Sequence, residues 1–385
     1  MGRWQCALEE VVAGQEAQGE RTMFGGIYKG RRVLVTGHTG FKGSWLSHWL
    51  LELGADVAGF SLYLPSTPCN FEVLGLERRL RHIVGDIRDA AAVQAAFDEF
   101  RPEIVFHLAA QAIVRTSYDE PKLTFDTNLG GTVNVLEAVR ATPSVRTAVF
   151  ITSDKCYENV EWEFGYRETD RLGGKDPYSA SKACAEIAIS AYARSFIDAS
   201  GKRIASTRAG NVIGGGDWAK DRIVPDCARA WAAENSPVIR SPGATRPWQH
   251  VLEPLSGYLW LAACMESGRE GLAGEAFNFG PRAEVNQPVS RLIDEMGKTW
   301  AGRGWLPDPA GVGAKAEAGL LKLCCDKALQ RLGWQAVMSF AETVAMTAEW
   351  YRAFYDGGMD MRGLTSRQLE TYARLGAQRG AQWPE

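Results

Sequence analysis

No apolar stretch of this sequence reaches the ~18 residues that a membrane-crossing helix needs. Charge of either sign is also scarce as a surplus: the formal net charge is −3 and no long basic block occurs. That balance argues against nucleic acid, or an anionic membrane surface, as the main partner. Neither the 5 histidines nor the 8 cysteines fall at metal-ligand spacings, so no metal site is expected. Cys324 and Cys325 are adjacent and the cysteines are too sparse for a small disulfide-stapled fold, so reduced thiols in a cytoplasmic protein are expected. Internal repeats and low-complexity tracts are absent. The opening 22 residues carry acids and glutamines where a signal peptide has an apolar centre. Residues 1–30 are accordingly expected to form a loosely ordered extension.

With 385 residues the chain can bury a full core. Residues 31–54, RRVLVTGHTGFKGSWLSHWLLELG, predict a buried strand, a tight glycine turn, and a helix that Gly54 stops. Gly37, Gly40 and Gly43 permit the turn, a close backbone approach to a pyrophosphate, and close packing of helix on strand. The start of the helix offers free N–H groups and a positive dipole to phosphates, which makes the turn a candidate dinucleotide site. The spacing is G-x-x-G-x-x-G, not G-x-G-x-x-G. At the end of the second strand, residues 56–61, many dinucleotide folds place an acid for the adenosine ribose, but this sequence has Phe60, Ser61 and Leu62. No Arg or Lys follows before Arg78 to clamp an extra phosphate, which favours NAD over NADP. Asp86, in the turn GDIRD, is placed for the adenine edge, because Asp89 is the natural cap of the next helix.

Strand and helix patterns then alternate: strands at 82–84, 104–108, 147–152 and 203–207, helices at 90–100, 122–140 and 177–196. Such alternation predicts an α/β fold, a doubly wound parallel sheet of Rossmann type over residues 31–208. Ligands of such sheets gather at the carboxyl ends of the strands. Those ends carry Gly37, Asp86, Ala109-Ala110-Gln111 and Ser153-Asp154-Lys155. Tyr178 and Lys182 stand one turn apart on one helix face, and an ammonium beside a phenol favours the phenolate, a useful general base. After Arg208 the pattern loosens into glycine- and tryptophan-rich segments, expected to form a smaller substrate-binding domain over residues 209–370 with some segments returning to the sheet. Arg222 and Arg246 lie there in apolar, glycine-rich surroundings, and their forked donors suit a diphosphate. Residues 340–354 predict an amphipathic closing helix, and residues 371–385 a loose tail. His38, His82 and His107 are expected to be structural, Trp45 and Trp49 to pack in the core, and Cys156 to be no nucleophile.

Together, TGHTGFKG, HLAAQ, Tyr178-x-x-x-Lys182 and RAGNVIGGGDW resemble the extended short-chain dehydrogenase/reductases that act on nucleotide sugars, over roughly residues 23–356. GHTGFKGSWL with TSDKCYEN is most similar to the members that dehydrate CDP-glucose with NAD as an internal redox carrier. Relatives acting on dTDP-glucose have Asp-Glu where this sequence has Asp154-Lys155. The resemblance implies that Ser153 and Tyr178 hold the sugar's 4-hydroxyl and that Lys182 binds the nicotinamide ribose and tunes Tyr178. It implies elimination roles for Asp154 and Lys155, either of which could be the acid and the other the base. It implies a dinucleotide lining of Gly37, Gly40, Phe41, Gly43, Asp86, Ile87, Ala109, Ala110, Gln111 and Asn128. Asn211, Arg222, Arg246 and Asn278 are implied to hold the nucleotide diphosphate. A homodimer or homotetramer formed through the helices at 122–140 and 177–196 is implied as well. A 4-epimerase or reductase would share most of these features but has no use for Asp154 and Lys155, whereas a dehydratase for another nucleotide-glucose stays an open alternative.

Overall fold

The computed structural model describes residues 23–219, 222–282, 285–308 and 320–384. Its centre is a seven-stranded, wholly parallel sheet. In chain order, β1 (Arg32–Thr36) leads through α1 (Phe41–Glu52) to β2 (Asp56–Ser61) and β3 (Arg81–Val84). The chain continues through α2 (Ala90–Phe100), β4 (Ile104–His107), α3 (Gly131–Ala141), β5 (Thr147–Ile151), α4 (Pro177–Tyr192) and β6 (Arg203–Ala209). Beyond these lie α5 (Ile223–Ala232), α6 (Leu252–Glu266), β7 (Ala276–Phe279), α7 (Phe340–Asp356) and α8 (Met361–Gln378). The spatial order is β7-β6-β5-β4-β1-β2-β3. The order reverses between β1 and β4, and the crevice at their carboxyl ends is where such sheets bind ligands.

Central strands such as β4 (IVFH) and β5 (TAVFI) are buried along their whole length, as strands covered by helices on both faces must be. The predicted helix over residues 122–140 is a composite: Pro121–Phe125, a π turn over Asp126–Gly130, then α3. The wide turn sits beside the crevice, a common place for such an insertion. Similarly α4 ends in a π turn over Ala193–Ile197. Helix α7 starts with a reciprocal cap between Ser339 and Glu342.

Two boundary expectations are corrected. Residues 23–30 are not loose: Phe24 and Tyr28 are buried, and the Tyr28 hydroxyl donates to Leu259 O at 2.6 Å. Residues 1–22 lie outside the described residues. The expected tail is also ordered, because α8 runs to Gln378 and Trp383 is wholly buried between Phe24 and Tyr372, with ring centroids 5.6 and 5.0 Å away. Phe24 and Trp383, near the first and last described residues, thus pack together on Trp49.

Candidate active site

The glycine turn is held by its own backbone. Gly37, at φ +76°, donates to Phe60 O at 2.8 Å, and a Cβ there would stand 2.7 Å from Ala109 N. Gly43 is tighter still, since a Cβ would come within 2.1 Å of Gly37 O. No side chain caps the first turn of α1, so its N–H groups are free for an anion. Phe41, half-buried, packs into the core behind them.

Where an acid would meet the ribose, the structure has a buried imidazole. His38 Nδ1 is 3.0 Å from Ser61 Oγ and Nε2 is 2.7 Å from His82 Nδ1. Burial, then the charge of His82, holds His38 down at about 3, so the ring is neutral. It fits only because residue 59 is glycine, where a Cβ would stand 2.1 Å from the ring. His107 is likewise structural, bridging Thr36 Oγ1 at 2.7 Å and Thr132 Oγ1 at 3.1 Å. Asp89 caps α2 as expected, accepting from Ala91 N and Ala92 N. Asp86, however, is not free. Its carboxylate accepts from the Arg88 backbone at 2.9 Å and from the Arg88 guanidinium, which holds it below the usual carboxylate range. Ile87 is buried against Gly131.

Beyond β4, Ala109 N donates to Thr36 Oγ1 at 3.2 Å, and Ala110 follows it at the crevice rim. Gln111 is braced at both ends, by Thr124 and by Ile113 N. Asn128 is wholly engaged by protein: its oxygen accepts from Gln111 N at 2.8 Å, and its amide donates to Gln111 O at 3.0 Å and Ser181 Oγ at 2.9 Å. It therefore ties the Gln111 loop to α4 and has no amide group left over to line a ligand.

The end of β5 turns sharply into a short 3-10 turn, Asp154–Cys156, capped by the Ser153 hydroxyl. Ser153 Oγ donates to Asp154 Oδ1 at 3.0 Å and is hydrogen-bonded to Tyr178. Asp154 is 7% exposed, with its other oxygen against Gly210, where a Cβ would come within 3.0 Å. Burial raises its carboxyl above the ordinary value, against the opposing charges of Lys155 and Lys42. Lys155 itself is only half-buried. Helix α4, begun by the Asp176 cap and Pro177, brings Tyr178 and Lys182 to the same crevice. Burial pushes Tyr178 up to about 12, with the Ser153 hydrogen bond and Arg222 pulling the other way. Burial lowers Lys182 to about 8, and its ammonium makes no hydrogen bond or ion pair among the described residues. The Cys156 thiol is buried and pushed far up, as befits no nucleophile.

Among the expected diphosphate residues, Arg222 reaches the crevice: its charge acts on both Tyr178 and Lys42, and its Nε is 3.5 Å from Asp217. Asn211 is exposed just after Gly210. Arg246 is half-buried on the antiparallel ladder Thr245–Pro247 with Asn286–Pro288, donating to Thr245 O. Asn278 is a correction. It is completely buried on β7, accepting from the Tyr157 hydroxyl and donating to Tyr166 O and Cys324 O, so it knits the fold and cannot touch a diphosphate.

Three residues escaped the sequence reading. Lys42, hidden inside the glycine motif, sends its side chain into the crevice, where burial and Arg222 lower it to about 8. Glu186 and Arg208 form a buried ion pair behind Lys182. Glu186 lies four residues after Lys182 on the same helix, the one signal that could have drawn attention to it.

A strand-end Ser-Asp-Lys thus meets a helical Tyr-x-x-x-Lys beside a glycine turn. The profile of the GDP-mannose 4,6 dehydratase family matches residues 34–347. The chain is 47% identical over 353 residues to CDP-glucose 4,6-dehydratase of Salmonella typhimurium, covering 90% of this chain and 97% of that protein. The chain belongs to the nucleotide-sugar 4,6-dehydratase family. Among solved structures, the family fold recurs in UDP-glucose 4-epimerase of Thermotoga maritima, at TM-score 0.71 and 26% identity, covering 83% of this chain and 98% of that one. It recurs also in a dTDP-glucose 4,6-dehydratase of Streptomyces venezuelae, at TM-score 0.69 and 24% identity, covering 83% and 97%.

Proposed function

We propose that this chain is an NAD-dependent CDP-glucose 4,6-dehydratase, which converts CDP-glucose to CDP-4-keto-6-deoxyglucose. The observation that carries the reading is a buried Asp154, its carboxyl raised above the ordinary value by burial, hydrogen-bonded through Ser153 to Tyr178. An epimerase or reductase on the same fold has no use for that acid.

The residues fit the cofactor. Only glycine at 37 and 43 permits the tight turn that leaves the first N–H groups of α1 without a side-chain cap, and Lys182 is a buried ammonium with no hydrogen bond or ion pair among the described residues. Gly37, Gly40, Phe41 and Gly43 would hold the pyrophosphate, Asp86 and Ile87 the adenosine side, Ala109, Ala110 and Gln111 the middle, and Lys182 the ribose nearest the ring. NAD bound there supplies a hydride acceptor for carbon 4 and then a hydride donor for carbon 6.

Ser153 and Tyr178 hold the 4-hydroxyl, and Tyr178 takes its proton as carbon 4 is oxidised. In the free protein Tyr178 keeps its proton at neutral pH, so its basicity depends on a further positive charge entering beside Arg222. The 4-ketone acidifies the hydrogen on carbon 5. Lys155, half-buried at the strand end, removes that hydrogen as the base, and Asp154 serves as the acid for the departing 6-hydroxyl. Arg222, Arg246 and Asn211, from the substrate-holding stretch 209–370, bind the diphosphate and its flank.

The protein is read as a cytoplasmic homodimer or homotetramer. Ile187 on α4 and Phe196 after it are 59% and 49% exposed, on the helical segments that the family resemblance pairs. Among the described residues all cysteines are free and no helix is long and apolar enough to cross a membrane. Incubation with CDP-glucose and catalytic NAD is expected to give the alkaline chromophore of a 4-keto-6-deoxy sugar without lasting NADH. Epimerised sugar alone would overturn the reading.

A further inference from the structure

Glycine at position 210 answers no need of the backbone. Its φ lies outside the left-handed region in which other residues are strained, so alanine could adopt the same conformation. Nor does the core demand it. Among the described residues, chain neighbours aside, a Cβ built there would meet only Asp154 Oδ2 at 3.0 Å and Asp154 Cγ at 3.7 Å. The later glycines of the same stretch differ: a Cβ at Gly214 would press on Val251 and Phe41, one at Gly215 on Trp350, and Gly216 has φ +84°. The side chain missing at 210 therefore leaves room in front of one group, the carboxyl of the strand-end acid.

Sheet register brings the two residues together. β5 and β6 run parallel with Ile151 opposite Thr207, and Thr152 N donates to Thr207 O at 2.8 Å. Asp154 and Gly210 each stand three residues beyond that pair. Residues 204–209 are buried, and the chain first becomes accessible at Gly210, beside the exposed Asn211. The two oxygens of Asp154 differ accordingly. Oδ1 accepts from Ser153 Oγ at 3.0 Å, and Ser153 Oγ in turn accepts from Lys155 N at 3.2 Å. Oδ2 is the oxygen that faces Gly210.

Resting on the dehydratase reading, we propose that Gly210 is the floor of a subsite for carbon 6 of the sugar, where Asp154 Oδ2 is the oxygen that delivers the proton to the 6-hydroxyl. Carbon 6 is two bonds from carbon 4, so a sugar whose 4-hydroxyl lies on Ser153 carries its 6-hydroxyl toward the neighbouring Asp154. As Lys155 takes the proton from carbon 5, the bonding pair left behind becomes the double bond between carbons 5 and 6. The bond from carbon 6 to its oxygen breaks, and the Oδ2 proton leaves with that oxygen as water. Asp154 is left as the carboxylate, its Oδ1 bond to Ser153 undisturbed. A methyl at 210 would take up the approach and make the carboxyl give way by a few tenths of an ångström, against the hold of Ser153. Gly210 thus acts through Asp154 as a positioning residue, and only for chemistry at carbon 6.

Gly210→Ala and Gly210→Ser test this, with thermal melts to follow folding. CDP-xylose, which has no carbon 6, probes the first step alone. In single turnovers with NAD, both variants are expected to form bound NADH from CDP-xylose within about threefold of the wild-type rate, because that step uses Ser153 and Tyr178. Water loss from CDP-glucose should slow at least about tenfold in both, the scale of a misplaced catalytic acid. Unchanged water loss would overturn the assignment of Gly210. So would equal slowing with the two sugars, or loss of folding in both variants, since the glycine would then serve the fold or the cofactor. Wild-type protein that oxidises carbon 4 of CDP-glucose but never releases water would overturn the dehydratase reading itself.

Discussion

Arg208 Nη2 lies 2.7 Å from Glu186 Oε2, with 5% and 2% of the two side chains exposed, one helical turn beyond Lys182. Thr152 and Ser206 donate to the same carboxylate, and the Tyr157 ring covers the guanidinium at 4.8 Å. The pair clamps α4 to β6 and so fixes the face that carries Tyr178 and Lys182. Removing one partner strands a buried charge, so Glu186→Gln or Arg208→Met should each cost about 3–5 kcal/mol. Replacing both with apolar residues should cost less than the sum of the singles. Denaturant melts of the four proteins check this.

Lys155→Ala and Asp154→Asn should separate the chemical steps. Oxidation at carbon 4 needs Ser153 and Tyr178, whereas water loss needs a base and an acid. Both variants are expected to form enzyme-bound NADH in a single turnover and to release 4-keto-6-deoxy product at least about a hundredfold more slowly. Stopped-flow absorbance at the reduced nicotinamide band reads the first step and product assay the second. Equal loss of both steps in Lys155→Ala would remove Lys155 from the elimination.

Gly43→Ala should weaken cofactor binding far more than substrate-nucleotide binding. The added methyl would meet Gly37 O at 2.1 Å, and backbone cannot step aside as a flexible side chain can. Opening that turn displaces the N–H groups of α1. Titration with NAD and, separately, with CDP measures the contrast.

Much of this site was legible because its signals are local. The glycine turn, the four-residue spacing of Tyr178 and Lys182, and the Ser153-Asp154-Lys155 strand end each follow from a few adjacent residues. What was hidden depends on residues distant in sequence. Asn278 reads as a loop ligand until Tyr157, Tyr166 and Cys324 fold around it. Lys42 reads as a solvated lysine at a helix start, and only Tyr258, 216 positions later in the same numbering, draws it inward. Helix α8 escaped because its buried face is Leu364, Thr365, Gln368, Leu369, Tyr372 and Gly376, half of it polar or small, so hydropathy alone shows little period.

That same helix leads to a packing prediction. Trp383 is wholly buried, with rings of Phe24, Trp49 and Tyr372 at 5.6, 5.9 and 5.0 Å. Trp383→Ala should destabilise the protein by about 3–5 kcal/mol, as large aromatic truncations in cores do. A surface tail would give no change in the melt.

Glu253 predicts a pH effect on stability. Its fully buried carboxyl accepts from Val337 N, Met338 N and the Tyr372 hydroxyl, yet burial pushes it up to about 7 from 4.5. Between those values the folded chain keeps a proton that the unfolded chain has released, so stability from this group falls as pH rises from 4.5 to 7. The full swing is about 3 kcal/mol by linkage. Glu253→Gln should flatten that part of the stability curve relative to wild type. Denaturant midpoints at pH 5 and pH 7.5 for both proteins test the sign.

The central claim is an internal redox cycle in which one hydride leaves carbon 4 and returns to carbon 6 of the same sugar. CDP-glucose deuterated at carbon 4 should give a 4-keto-6-deoxy product carrying that deuterium on carbon 6, with no net NADH, as read by mass spectrometry and NMR. Deuterium found back on carbon 4, or left in a pool of reduced cofactor, would contradict the account.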